Sequence, residues 1–295
     1  MKTAFLGLGA IGRPMAARIA AAGLPLIVWN RTASRSDEFV GDGRATSAAT
    51  PADAVRHADV VITCLSNSPD VASLVDRPDG LLTAMRRGST LIDCTSGEPA
   101  TSRRIAARLA DRGVDFLDAP VSGGVGGAEK GALTIMVGGS PAVLERVRPV
   151  LATFGQKIVH CGDIGAGHTV KAMNQALLAI HIWSAGEALV TLAKEGVRAS
   201  VALDVINASS GRSNSSMNLF PERVLTRAFP RTFRLALIDK DIGIAAAVAR
   251  ENAVPAPVLQ LTADLMKVAH GILGEAADHV EAVKVIEQWA GAEIA

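Results

Sequence analysis

Four short constellations hold the residue types whose spacing can do chemistry. The first is Gly7-Leu8-Gly9-Ala10-Ile11-Gly12, set between the apolar run Thr3–Leu6 and a helical stretch. In this pattern the first glycine permits a tight turn, the second lets backbone approach a pyrophosphate, and the third lets helix and strand pack closely. The helix N-terminus adds unpaired N–H groups and partial positive charge for the phosphates. A glycine turn with no ligand is the simpler alternative, but the strand–turn–helix context favours a dinucleotide. The second constellation is Asn30-Arg31-Thr32 at the end of the next apolar run. An NAD site usually places Asp or Glu about 20 residues beyond the glycines. No carboxylate stands at this tip, whereas Arg31 can pair with a 2′-phosphate, with Asn30 and Thr32 donating to it. The expectation is therefore NADP, with NAD possible, set against a solvated arginine that follows a strand. Leu65-Ser66-Asn67 and Cys94-Thr95-Ser96 end further strands, where cofactor contacts sit, although such residues are equally ordinary in turns.

The third constellation is Asp118-Ala119-Pro120-Val121-Ser122-Gly123-Gly124, with Gly126 and Gly127 beyond it. Consecutive backbone N–H groups at Ser122, Gly123 and Gly124 form a concavity able to hold a carboxylate. Read alone, the same stretch is a flexible loop. The fourth follows Gly165-Ala166-Gly167 and places Lys171, Asn174 and Gln175 at i, i+3 and i+4 on one helix face. An amine at the mouth of an apolar helix loses solvation, which brings its pKa toward values useful for proton transfer. A single lysine at a helix start is, by itself, more simply a solvated one.

The elements that must position these groups follow from composition and pattern. The chain has 295 residues, a formal net charge of +1, hydrophobic residues at 49%, three Trp, seven Phe and no Tyr. Near-neutral charge speaks against a nucleic-acid partner. The absent tyrosine removes every mechanism that uses a phenol as acid or base. Three separated cysteines and scattered histidines suggest neither a disulfide framework nor a metal site. No signal peptide is expected, and the apolar stretch 176–193 carries His181 and Glu187, which suits a buried helix rather than a membrane span. A cytoplasmic protein is the expectation. Apolar runs at 3–6, 26–29, 60–65, 90–93, 114–118, 133–137 and 157–160 alternate with helical stretches such as 11–22, 99–112 and 141–152. This alternation predicts an α/β fold, an N-terminal Rossmann-type doubly wound and mostly parallel sheet. Beyond residue 162 the pattern is helical only. The expected organisation is thus a nucleotide-binding domain at 1–161 and an all-α domain at 162–295, joined by a long helix reaching about Glu195.

The set of motifs resembles the β-hydroxyacid dehydrogenase family, which includes 3-hydroxyisobutyrate dehydrogenase and tartronate semialdehyde reductase. The matching pieces are Gly-Leu-Gly-x-x-Gly-x-x-Met-Ala at 7–16, Asp-Ala-Pro-Val-Ser-Gly-Gly at 118–124 and Gly-x-Gly-x-x-x-Lys-x-x-Asn at 165–174, together with Lys240-Asp241 and the Asp278, Lys284, Glu287 pattern. They fall in the family's order across essentially the whole chain. The resemblance implies hydride transfer between NADP(H) and a small 3-hydroxy acid. It gives Lys171 the role of general acid–base, Ser122, Gly123 and Gly124 the substrate carboxylate, and Asn174 a hold on substrate. Thr95 and Lys240 match cofactor contacts. Gln175 stands where the family commonly has a second asparagine, so an amide is kept on a longer arm.

Two other functions remain in view: an imine reductase-like enzyme, which usually lacks the lysine, and a non-catalytic NADP-binding regulatory or scaffold protein. The polar, basic stretch from Gly211 to Asn218, continuing through Arg223, Arg227, Arg231 and Arg234, reads as solvated surface or as the border of a substrate pocket. The alanine-rich, apolar second half suggests helix faces shared in a homodimer or homotetramer. The motifs define a carboxylate and a β-hydroxyl on the substrate, but no side group. The missing tyrosine excludes the short-chain dehydrogenases, which leaves Lys171 as the candidate proton carrier.

Overall fold

In the computed structural model of the chain, residues 1–41, 43 and 45–294 are described. The chain divides into two compact units, 1–171 and 172–295. The first is built on nine strands: β1 (Thr3–Leu6), β2 (Leu26–Trp29), β3 (Thr46–Ser47), β4 (Val60–Thr63), β5 (Thr90–Asp93), β6 (Asp115–Asp118), β7 (Val121–Ser122), β8 (Leu133–Gly138) and β9 (Gly155–Gly162). Their order is β3-β2-β1-β4-β5-β6-β8-β7, with β9 paired to β8. From β3 to β6 every neighbour is parallel, which gives the doubly wound dinucleotide-binding order with its reversal between β1 and β4. β8 then runs antiparallel to β6 and to β7.

The inner residues of β1, β4, β5 and β6 are apolar because successive residues enter different cores. Phe5, Ile62, Ile92 and Leu117 pack in one cluster, with Met15 and Ile19 of the helix Gly12–Ala21 and Val147 and Leu151 of the helix Pro141–Leu151. Their chain neighbours Leu6, Val61, Leu91 and Phe116 pack in the other, against Ile105 and Leu109 of the helix Pro99–Ala110. Side chains alternate across a strand, so a sheet covered on both faces has no polar side to show. The expected strands and helices recur within a few residues at their ends. β3 and β7 are additions, each too short at two residues to carry a period.

The second unit is helical. It takes most of the helix Ala166–Lys194, then Ala199–Ala208, the π-type helix Ser215–Val224, Leu235–Glu251, Pro257–Leu273 and Val283–Ala290. Among the described residues beyond Gly162, strand-type pairing is confined to one bridge, Arg234 with Asp278. The helix Ala166–Lys194 is long and apolar enough to cross a membrane by length and composition. Here it forms the spine of the second core, burying Ala172, Ala176, Ala179, Ile182, Trp183, Leu189 and Val190. Small residues on that face let other helices approach closely, so a core with few aromatics still packs densely.

One buried carboxylate fastens this unit. Asp278 accepts from the N–H groups of Thr232 and Phe233 at 2.8 and 2.9 Å and from the Thr232 hydroxyl at 3.0 Å. Burial alone would raise its pKa. The hydrogen bond and charge of His279, with the N–H groups of Phe233 and Thr232, outweigh burial and hold it well below the carboxylate range. A depressed pKa means that Asp278 stabilises the fold above the ordinary value of 3.8 and loses that contribution as pH falls below it. Asp278→Asn should therefore lower stability at pH 7 by about 3 kcal/mol. It should also flatten the loss of thermal stability below about pH 4, read by circular dichroism melts across that range.

Candidate active site

The glycine loop is built by close contacts on two sides and openness on the third. Gly7 has φ +107°, and a Cβ there would lie 2.3 Å from the Cys64 carbonyl oxygen. A Cβ on Gly12 would lie 2.0 Å from the Gly7 oxygen, while one on Gly9 would meet nothing within 4 Å. The fold itself thus requires glycine at 7 and 12, and at 9 the backbone is left bare on an open side. No side chain caps the helix Gly12–Ala21, although Ala10 and Ile11 lead directly into it. Bare backbone beside an uncapped helix start fits the pyrophosphate of a dinucleotide.

Asn30 shapes this loop from beneath. Its Oδ1 accepts from the Leu8 N–H at 2.9 Å, and its Nδ2 donates to the Thr32 carbonyl at 3.0 Å. The Oδ1 end of the amide thus ties the glycine loop to the end of β2, and the Nδ2 end holds the turn that follows it. Arg31 is the exposed group at this tip, with its guanidinium 3.9 Å from Asp70. Thr32 precedes the helix Ala33–Val40 without capping it through its side chain.

At the ends of β4 and β5 the residues meet in a dense polar knot. The Leu65 N–H donates to the Thr95 hydroxyl at 3.0 Å, and the Thr95 N–H donates to Asp93 Oδ1 at 3.0 Å, which also accepts from the Thr63 hydroxyl at 2.9 Å. Asn67 Oδ1 accepts from the Asp70 N–H at 2.8 Å and so caps the helix that Ser66 leads into, Ser68–Asp76. Burial raises the pKa of Asp93 against the opposing charge of His168 and the hydrogen bonds of Thr95 and Thr63. Burial, with the nearby Asp93 charge, pushes the Cys64 thiol up to about 12. That leaves the sulfur protonated and unreactive.

Asp118 closes β6 and holds the start of the long helix. It is wholly buried, and its carboxylate accepts from the Gly165 N–H at 2.7 Å and the His168 N–H at 2.9 Å. Lys171 lies on the helix so anchored and is 8% exposed. Three residues after Asp118 the chain enters β7, where Ser122 pairs with Thr134 of β8. Gly123 and Gly124 follow with φ +132° and +65°, backbone that only glycine adopts without strain. The end of β6 is thus the origin of both the Ser122–Gly124 turn and the anchored helix end. The sequence places Asp118 in the third constellation without giving it a role, and gives His168 none. The legible signal was an acid at a strand's end answered by Gly-x-Gly-His at a helix start.

Within the second unit, Asn174 Nδ2 donates to Gln175 Oε1 at 3.3 Å and Gln175 Nε2 donates to Asp241 Oδ2 at 3.1 Å. Asp241 also pairs with Lys240 at 2.8 Å. Gln175 and Asp241 are both buried, so the longer arm reaches an internal acid.

Comparison with known proteins agrees with this geometry. Residues 2–162 match the NAD binding domain of 6-phosphogluconate dehydrogenase, and residues 165–286 match the NAD-binding region of NADP-dependent 3-hydroxyisobutyrate dehydrogenase. The 2-(hydroxymethyl)glutarate dehydrogenase of Eubacterium barkeri is 33% identical over 294 residues, covering 100% of this chain and 97% of the relative. The chain belongs to the β-hydroxyacid dehydrogenase family. Its members act on an alcohol group with NAD(P), and this β-hydroxyacid dehydrogenase is an oxidoreductase of that kind. The Mycobacterium tuberculosis 3-hydroxyisobutyrate dehydrogenase, solved with L-serine, superposes with a TM-score of 0.89 at 30% identity, covering 97% of this chain and 98% of that one. Psf3, solved with NADP+ and 2-OPP, gives a TM-score of 0.84 at 26% identity, covering 96% of this chain and 99% of that one. An imine reductase of Streptomyces aurantiacus, at 21% identity, a TM-score of 0.65 and coverage of 97% and 99%, shares the fold.

The glycine geometry yields a paired test. Gly9→Ala should leave the melting temperature of the apo protein essentially unchanged but weaken NADPH binding about tenfold or more, measured by nucleotide fluorescence. Gly12→Ala should lower the melting temperature, because its Cβ meets backbone that cannot move aside.

Proposed function

We propose that this chain transfers hydride reversibly between NADP(H) and the carbinol carbon of a small 3-hydroxy acid, with Lys171 as general acid–base. The observation that carries this reading is the anchoring of Lys171, buried on a helix whose first turn hangs from the same strand end that leads into Ser122, Gly123 and Gly124. The nicotinamide, when bound, supplies the hydride acceptor or donor. Lys171 Nζ takes the hydroxyl proton during oxidation, and its ammonium returns it during reduction. The Ser122 hydroxyl and the N–H groups of Gly123 and Gly124 hold the substrate carboxylate. The Asn174 amide orients the reacting oxygen, and Gln175 supports it from Asp241.

Gly7 to Gly12 hold the pyrophosphate, while Arg31 and Thr32 face the 2′-phosphate from the loop that Asn30 ties down. Leu65, Ser66, Asn67, Thr95 and Lys240 line the rest of the cofactor. An exposed guanidinium in place of an acid at the β2 tip favours NADP over NAD. In this reading residues 1–161 bind the cofactor, and residues 162–295 complete the substrate site and join subunits. The helix Pro257–Leu273 exposes Val258, Leu261, Val268 and Ile272 in one stripe, which suits burial in a homodimer or homotetramer of a cytoplasmic enzyme.

A panel of small 3-hydroxy acids assayed with NADP and NAD side by side tests the reading. Oxidation of at least one member, faster with NADP, is expected. Lys171→Ala should lower kcat by about a thousandfold with NADPH binding nearly intact, and Arg31→Ala should narrow the preference for NADP. Tight NADPH binding with no oxidation of any panel member contradicts the catalytic reading.

A further inference from the structure

His168 has no role in the reading above, yet it stands at the anchored helix start. Its side chain is buried, with Nε2 2.7 Å from the Thr95 carbonyl oxygen and Nδ1 2.7 Å from the Ser102 hydroxyl. A carbonyl oxygen only accepts, so Nε2 carries a hydrogen and donates it. Its own backbone N–H donates to Asp118. The ring is walled in by Gly97, where a Cβ would lie 3.1 Å from His168 Cε1 and 2.6 Å from the Ser68 hydroxyl.

The partner at the far end is Thr95. Its N–H is committed to Asp93, its hydroxyl accepts from Leu65, and its carbonyl accepts from His168. Two of these bonds come from the ends of β4 and β5. The third comes from the helix that carries Lys171, which lies three residues beyond His168, about 4.5 Å along the axis. A proton relay is excluded by chemistry, since the chain of bonds ends on a backbone carbonyl that has no proton to pass. What the imidazole supplies is a fixed length between two elements.

We propose that His168 is a positioning residue, whose imidazole locks the helix bearing Lys171 to the Thr95 backbone and so sets the proton-transfer amine in register with the cofactor-facing strand ends. The proposal rests on the roles given to Lys171 and Thr95 above. Removing the donor frees both sides. Thr95 loses one of its three bonds, and the first turn of the helix is left with its Asp118 cap but without its tie to Thr95. Misplacement of a reacting group by about 1 Å can cost about a hundredfold in rate, so the effect belongs on kcat rather than on KM.

The test compares His168→Phe, which keeps ring volume without a donor, with His168→Gln, whose amide can still reach the Thr95 carbonyl. For His168→Phe, kcat on the best panel substrate should fall about 30- to 100-fold with KM little changed. For His168→Gln much of that loss should be recovered. In the apo protein, hydrogen exchange at the Leu65 amide should quicken by about tenfold or more in His168→Phe, because its acceptor residue Thr95 is held by one bond fewer. If His168→Phe fails to fold, His168→Asn replaces it, being polar but too short to reach, with the same expectation. Wild-type kcat and Leu65 exchange in the donor-less variant, with Lys171→Ala inactive, overturn the lock alone. Wild-type turnover in Lys171→Ala overturns the reading beneath it, whatever the His168 variants do.

Discussion

The Asp118 carboxylate is the point on which the first unit turns. A charge buried without partners is costly, and here two backbone N–H groups at the positive end of a long helix satisfy it. The surrounding sequence is shaped to that bond. A Cβ at Gly138 would lie 2.5 Å from one carboxylate oxygen, and a Cβ at Gly167 would lie 2.9 Å from the other. Both positions must be glycine for the helix to come so close to the sheet. The result is that Lys171, on this helix, takes its position from a strand rather than from a loop.

The same chemistry explains why two buried aspartates behave oppositely. Asp93 and Asp278 are each removed from solvent, which by itself raises a carboxyl pKa. Around Asp278 the hydrogen bond and charge of His279 and the N–H groups of Phe233 and Thr232 outweigh burial, and it serves as a charged clamp. Around Asp93 the hydrogen bonds and the His168 charge do not overcome burial. Asp93 therefore works as a hydrogen-bonding hub for Thr63 and Thr95, at the strand ends where the cofactor contacts are proposed.

The fold was legible because its signals are local. Each buried parallel strand is an apolar run with a turn on either side, and Gly7 to Gly12 read as a phosphate turn from their spacing and their place between a strand and a helix. The two-residue strands β3 and β7 were not, since pairing rather than pattern defines them. Amide partners were also out of reach. Asn30 reads from sequence as a phosphate donor, and in the fold its Oδ1 accepts from Leu8 of the glycine loop while its Nδ2 donates to Thr32; Gln175 reaches Asp241, 66 residues away. The contacts of His168 with Thr95 and Ser102 span 73 and 66 residues, so only the folded chain brings them together. Sequence offers the candidate reacting groups. Their supports come from elsewhere in the chain.

The central claim is that Asp118, by fixing the helix start, places Lys171 for proton transfer. The most direct measurement is the single-turnover rate of hydride transfer in Asp118→Asn, with saturating NADPH and the best panel substrate, set beside the melting temperature of the same variant. The amide can accept one N–H but opposes the second, so a folded variant should bind NADPH near normally while hydride transfer slows by about a hundredfold. A folded Asp118→Asn that transfers hydride at the wild-type rate contradicts the claim.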